Sequence, residues 1–123
     1  MDKVKEYYFN GNLKFEGEYL NGKRNGKAKE YDDNGILRFE GEYLNGEKNG
    51  KAKEYDYYGK LIFEGEYLKE KRNGIGKEYS FEKLMFDGEF LNGERWNGII
   101  LEYSGYGRYG RYSKYTFKNG KRI

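Results

Sequence analysis

The chain repeats one block of sequence four times. The block reads FEGEYLNGKRNGKAKEY from Phe15, FEGEYLNGEKNGKAKEY from Phe39 and FEGEYLKEKRNGIGKEY from Phe63, and it returns as FDGEFLNGERWNGIILEY from Phe86. The first two steps are 24 residues long and the third is 23. A period of this length indicates one small supersecondary unit stacked in a row, so that each unit packs on its neighbours. The repeat therefore points to an extended surface rather than to a closed catalytic pocket.

Each block divides into two strand-like runs separated by Asn-Gly turns. In the first block, residues 13–20 precede Asn21-Gly22, and residues 27–31 precede Asn34-Gly35. Asn-Gly supplies the positive φ angles that a tight reversal needs. The pattern predicts an all-β protein: an elongated, single-layer antiparallel meander of tandem β-hairpins, with no helix of note.

Alternation along the first run predicts an aromatic face and an acidic face. The residues on one side of the strand are Leu13, Phe15, Gly17 and Tyr19, two of them aromatic. The residues on the other side are Lys14, Glu16 and Glu18, two of them acidic. If the alternation continues without interruption along the chain, Tyr31 and Tyr55 also lie on the aromatic face. We expect the ring of Tyr31 to cover the backbone at Gly17.

Paired carboxylates recur on the acidic face of three blocks: Glu16, Glu18, Glu40, Glu42, Glu64 and Glu66. Hard cations such as Ca²⁺ and Mg²⁺ take oxygen ligands, but the sequence lacks the loops of known calcium motifs. A solvated strand face with Lys or Arg on the neighbouring strands is the favoured interpretation. We therefore predict no metal site and no cofactor.

Composition excludes most catalytic chemistry. The chain contains no His and no Cys, which removes the commonest general base and the thiolate nucleophile. The hydroxyl groups outside tyrosine have no such partner: Ser80, Ser104, Ser113 and Thr116. We predict a protein that is not an enzyme and takes no small-molecule substrate. With no apolar run of membrane-spanning length and no signal-like N-terminus, we expect it to be cytoplasmic.

The charge distribution divides the chain into two parts. Residues 1–102 form the repeat array and contain all 21 acidic residues, whereas residues 103–123 contain six Lys and Arg and no acid. Within the array we expect a half repeat at residues 3–14 and full repeats from about positions 15, 39, 63 and 86. The basic segment ends in a repeat fragment, and we expect it to cap the array.

Tyrosines recur every third residue in the basic segment: Tyr103, Tyr106, Tyr109, Tyr112 and Tyr115. Aromatic rings between cations can stack bases and contact phosphates, or hold an anionic membrane surface. A divergent fifth repeat that folds over the end of the ribbon is the favoured alternative. The candidate partner-binding residues are those where repetition fails: Trp96, Tyr106, Arg108, Tyr109, Arg111, Tyr112 and Lys114.

The run aromatic-Glu-Gly-Glu-Tyr-Leu-Asn-Gly-Lys-Arg-Asn-Gly-Lys resembles the MORN repeat, whose consensus is approximately YxGxxxNGxxxGxG. The extended spelling is most similar to the bacterial variant, over about residues 3–102 with a fragment at 115–122. Some positions depart from the consensus: Ala28, Ala52 and Ile100 replace a glycine, and Lys69-Glu70 replaces Asn-Gly. The resemblance implies a ribbon of hairpins that serves as a scaffold, dimerisation module or accessory domain. Phospholipid binding has been proposed for some members, and bacterial variants are often described as antitoxin-like.

Three functions remain open from the sequence. The first is a non-enzymatic protein–protein interaction or scaffold module, whose wide aromatic face packs on its own twist, on a second copy in a dimer, or on a partner. The second is an antitoxin-like or immunity-like protein that neutralises a partner. The third is polyanion binding, to RNA or an anionic membrane, through the basic tail.

Overall fold

The computed structural model shows one open antiparallel sheet of eleven strands and describes residues 2–105 and 110–123. The strands are β1 Asp2–Tyr7, β2 Leu13–Leu20, β3 Lys23–Tyr31, β4 Leu37–Leu44, β5 Glu47–Tyr55, β6 Leu61–Leu68, β7 Lys71–Ser80, β8 Lys83–Leu91, β9 Glu94–Ser104, β10 Arg111–Lys118 and β11 Lys121–Arg122. Every strand pairs with the next one along the chain, and the described residues contain no helix. The predicted all-β meander is confirmed.

Two-residue turns with positive φ close one long side of the sheet. Asn21 and Gly22 have φ of 52° and 77°, and the other Asn-Gly turns follow the same pattern. Lys69 and Glu70 keep this conformation, with φ of 48° and 72°, although side chains other than Asn and Gly adopt it at a cost. The departure from Asn-Gly therefore leaves the turn geometry unchanged.

The opposite long side has longer turns, and it absorbs the one-residue deletion that makes the third step shorter. In the turn after β3, the Asp32 carboxylate accepts hydrogen bonds from the backbone N–H groups of Asn34 and Ile36, both at 3.0 Å. After β7 this turn is reduced to Phe81 and Glu82, with φ of 49° and 68°. Because the deletion lies in a turn, the strands on either side keep their faces.

One face of the sheet carries a continuous ladder of aromatic rings. Phe15, Phe39, Phe63 and Phe86 are exposed to no more than 2%. Each contacts neighbouring rings edge to face, with centroids 5.3–6.1 Å apart and planes at 71–90°. The ladder runs in order through Tyr19, Phe15, Tyr43, Phe39, Tyr67, Phe63, Phe90, Phe86 and Phe117. These rings replace the aliphatic core of a conventional domain.

Charged side chains of the same chain cover the ladder. A cationic group lies over each repeat phenylalanine, 4.0–5.0 Å from the ring centroid: Arg24, Lys48, Arg72 and Arg95. Glutamates pair with these cations, as Glu54 and Glu78 do with Arg72 at 3.2 and 3.6 Å. Burial of the phenylalanines therefore requires no second copy of the protein.

Each two-residue turn pairs odd-numbered residues of one strand with even-numbered residues of the next, so a given face carries odd positions on one strand and even positions on its neighbour. Because Tyr19 pairs with Arg24 and Phe15 with Glu30, the aromatic side of β3 consists of even-numbered residues. The prediction that Tyr31 and Tyr55 join the aromatic face is therefore wrong. The nearest ring to Gly17 is that of Phe15 on its own strand, whose Cζ lies 2.9 Å from where a Cβ would be.

Candidate functional site

A groove of about 1360 Å³ crosses strands β1–β7 on the face opposite the aromatic ladder. Its middle line is a row of glycines and alanines that pair across the strands and that begins beside Val4 of β1: Gly17, Ala28, Gly41, Ala52, Gly65 and Gly76. A Cβ added at Gly65 would point into Phe63 on the aromatic side, at 2.8 Å. The floor of the groove is therefore formed largely by backbone.

Lysine and glutamate alternate along both walls of the groove. One wall consists of Lys5, Glu16, Lys29, Glu40, Lys53, Glu64 and Lys77. The other consists of Lys3, Glu18, Lys27, Glu42, Lys51, Glu66 and Ile75. The lysines come from the odd-numbered strands and the glutamates from the even-numbered ones, so the face is mixed rather than acidic. The register places lysines beside the glutamates, since Lys29 pairs with Glu16 and Glu40.

Tyrosines bind the glutamates of the first wall. The hydroxyl of Tyr55 donates a hydrogen bond to Glu40 at 2.9 Å, and that of Tyr79 contacts Glu64 at 3.4 Å. Burial, followed by the hydrogen bond to Glu40, raises the pKa of Tyr55 to about 12. Burial and the charge of Glu64 raise the pKa of Tyr79 in the same direction. These contacts fix the direction of two carboxylates along the wall.

The raised pKa of Tyr55 predicts a loss of stability in alkali. Because the folded state holds this proton more tightly than the unfolded state, the contribution is present below about pH 10 and is lost as the pH rises to about 12. We expect Tyr55→Phe to reduce the fall in the free energy of unfolding between pH 9 and pH 11.5, measured by urea denaturation. Tyr58→Phe, which changes an exposed ring, is the matched control. Equal pH dependence in wild type and Tyr55→Phe would contradict the prediction.

The wall carboxylates alternate with lysines rather than forming groups. Among residues 2–105 and 110–123, no group of three or more His, Cys, Asp or Glu side chains is placed to hold a metal ion. The alternation explains this, because each glutamate has lysines on the adjacent strands. In the same part of the chain, no helix is long and apolar enough to cross a membrane.

Four of the seven predicted partner-binding residues are described by the structure, and they lie on β9 and β10, beyond the far end of the groove. Trp96 is half-buried in β9, and a Cβ added at Gly120 would lie 3.2 Å from its ring. Its backbone carbonyl accepts the N–H of Gly120 at 2.9 Å. Arg111, Tyr112 and Lys114 are exposed on β10. The remaining three residues lie outside the described part of the chain: Tyr106, Arg108 and Tyr109.

The groove was not predicted as a site. Its sequence signal is present in the first three blocks as Glu-Gly-Glu on one strand and Lys-Ala-Lys or Ile-Gly-Lys on the next. The signal is recognisable only once the pairing of Gly17 with Ala28 is known, since this register places both charged pairs around one small residue. Sequence alternation assigned the glutamates to this face, with Lys or Arg expected on the neighbouring strands, but it did not predict the row of small residues between the two walls.

An open sheet of tandem hairpins with one repeated groove defines a β-repeat protein. The model of the MORN repeat variant matches residues 3–21 and 24–45, and that of the MORN repeat matches residues 39–57 and 63–81. These segments together cover more than half of the chain, which belongs to the MORN-repeat family. A comparison with curated proteins finds no match. Family membership supports a general role as a repeat-based interaction or scaffold module.

Proposed function

We propose that this protein is a non-catalytic scaffold that holds an extended segment of a partner protein in the groove. The observation that carries the proposal is the continuous groove across seven strands, with a backbone floor and charged walls. A partner that lies along such a groove contacts the same constellation again in every repeat. Affinity then accumulates from many modest contacts rather than from one pocket.

The spacing of the wall charges fits an extended polypeptide. Neighbouring strands lie about 4.8 Å apart, so charges of one sign recur along a wall about every 9.6 Å. A polyproline II segment advances about 9.3 Å in three residues. A partner segment with a charged residue at every third position therefore meets complementary groups in successive repeats. Such complementarity sets register and excludes segments with the wrong pattern.

The last position of the second wall differs from the others. Ile75 occupies the place of Lys27 and Lys51, and its side chain is 58% exposed. An exposed aliphatic side chain at the end of a charged wall offers an apolar contact that the repeats before it lack. We therefore expect the partner segment to end in an apolar residue at this point.

Charge inversion of one wall tests the proposed binding mode. The second wall contains three directly paired couples, namely Lys3 with Glu18, Lys27 with Glu42 and Lys51 with Glu66. The inverted variant exchanges the residues within every couple: Lys3→Glu, Glu18→Lys, Lys27→Glu, Glu42→Lys, Lys51→Glu and Glu66→Lys. Each couple keeps opposite charges, so we expect the melting temperature to stay close to that of the wild type. The groove nevertheless presents the wrong sign at every position of this wall.

Capture experiments then compare three immobilised proteins. The control exchanges Lys60 and Glu82, an exposed ion pair away from the groove. We expect wild type and control to retain the same partner protein, and the inverted variant to lose at least ten-fold in affinity for it. A photo-crosslinking residue at Ile75 should mark one extended segment of that partner. Retention of the partner by the inverted variant, or no partner retained by the wild type, would contradict the proposal.

A further inference from the structure

A cluster of two tyrosines and two lysines lies beyond the groove, on strands β8–β10. Tyr112 pairs with Tyr103 across the strands, and their ring centroids are 5.8 Å apart with planes at 46°. The ammonium group of Lys83 lies 5.0 Å from the Tyr103 centroid, and that of Lys114 lies 5.8 Å from the Tyr112 centroid. We call these four residues the tyrosine cluster. It combines two adjacent rings with a cation at each end.

The rings of the tyrosine cluster are accessible, unlike those of the ladder. Tyr103 is 39% exposed and Tyr112 is 56% exposed, whereas Tyr43 and Tyr67 are exposed to 5% and 9%. The buried tyrosines also donate their hydroxyls to glutamates, as Tyr43 does to Glu30. The cluster rings are therefore available for contact with another molecule.

The cations around these rings are free of acidic partners in the described part of the chain. Lys83, Lys114 and the neighbouring Arg111 make no ion pair with any described residue. The acids adjacent in sequence to Lys83 and Tyr103 are already engaged, since Glu82 pairs with Lys60 and Glu102 with Arg122. This end of the face thus has uncompensated positive charge, in contrast to the balanced walls of the groove.

A register change between β8 and β9, opposite Trp96, explains why Tyr103 has no acidic partner like that of Tyr79. In the third repeat Phe63 pairs with Glu78, one residue before Tyr79, whose hydroxyl reaches Glu64. In the fourth repeat Phe86 pairs with Ile100, three residues before Tyr103. Trp96, which is one residue more than the third repeat has here, therefore moves Tyr103 along the sheet relative to Asp87, the residue at the position of Glu64. The ring meets Lys83 instead.

We propose that the tyrosine cluster binds single-stranded nucleic acid. Exposed aromatic rings stack unpaired bases without regard to sequence, and adjacent lysines contact the phosphates. The paired rings supply two stacking surfaces, and Lys83 and Lys114 flank them on both sides. A ligand of this class matches both the rings and the uncompensated charge, and it goes beyond the scaffold role of the groove.

Fluorescence anisotropy with a labelled twelve-nucleotide oligouridine tests the proposal on the full chain. We expect salt-dependent binding by the wild type and roughly ten-fold weaker binding by Lys83→Ala/Lys114→Ala. The slope of log affinity against log salt should fall by about 1.4, because each lost phosphate contact removes about 0.7. Tyr103→Leu/Tyr112→Leu should also weaken binding about ten-fold while the salt slope stays unchanged, since stacking is lost and phosphate contacts remain.

The controls separate this site from general charge and from lipid. Lys23→Ala/Lys71→Ala removes the same charge from two exposed positions away from the cluster and should leave affinity within two-fold of the wild type. Circular dichroism checks that each variant is folded. If the tyrosine variant does not fold, the lysine variant alone is enough to test the proposal. Oligouridine affinity that is absent, or is unchanged in the lysine variant, overturns the proposal. Binding to phosphatidylserine vesicles without binding to oligouridine does so as well.

Discussion

Replacement of Phe63 by alanine is expected to lower the free energy of unfolding by about 3–5 kcal/mol. The ring is fully buried and contacts Tyr67 and Phe90 edge to face, while Arg72 lies 4.1 Å above it. Its removal breaks the aromatic ladder in the middle and leaves a cavity under a charged layer. The side chains above it cannot fill this space without burying charge. Urea denaturation at neutral pH measures the loss.

Phe81→Ala is the matched control for this experiment. Its ring is 91% exposed in the turn after β7, so the same truncation should change the free energy of unfolding by about 0.5 kcal/mol or less. A similar loss in both variants would indicate that bulk hydrophobicity, rather than the ladder, stabilises the sheet. A loss below about 1 kcal/mol for Phe63→Ala would contradict the assignment of the ladder as the core.

Addition of a single methyl group at Gly88 should destabilise the sheet by about 3 kcal/mol. A Cβ at this position would lie 2.1 Å from the backbone oxygen of Asn97 and 2.6 Å from the Cα of Gly98. Both obstacles are backbone, so the change Gly88→Ala cannot be accommodated by rotation of a side chain. The strands β8 and β9 must separate or shift, which weakens the pairing that aligns the fourth repeat.

Gly35→Asn provides the comparison for the glycine experiment. Gly35 has φ of +87° in a turn, and no atom lies within 4 Å of an added Cβ. Asparagine tolerates this backbone region better than most residues, so we expect a loss of about 1 kcal/mol or less. Thermal unfolding, monitored by circular dichroism, compares the melting temperatures of Gly88→Ala and Gly35→Asn. Equal melting temperatures would show that β8 and β9 are less closely paired than the structure indicates.

The strands and turns could be predicted because their signals are local. Asn21-Gly22 and its counterparts encode the reversals, and the even spacing of Phe15, Phe39 and Phe63 encodes the stacking. The assignment of faces failed at Tyr31, because a two-residue turn pairs odd positions with even ones. This rule depends on the conformation of the turn. Lys69-Glu70 adopts the same conformation as Asn-Gly, so the turn residues alone do not identify it.

The candidate sites required knowledge of pairing between distant residues. The layer of charged side chains over the aromatic ladder could not be predicted. Arg24 and Glu30 lie six residues apart on one strand, and their side chains meet only above the rings. Three members of the tyrosine cluster lie in the basic segment that is visible in the sequence: Tyr103, Tyr112 and Lys114. The contribution of Lys83 depends on the register change at Trp96, which sequence spacing alone does not reveal.

The floor of small residues also bears on how such a protein can evolve. Duplication of 24 residues adds two strands, one phenylalanine for the ladder and two further couples for the walls, and every face keeps its orientation. The groove then lengthens by about 9.6 Å per copy, which is two strand spacings. In the proposed binding mode, a change in copy number therefore changes the length of partner chain that the groove can hold. The length of the groove, which copy number sets, can thus change independently of the side chains that form its walls.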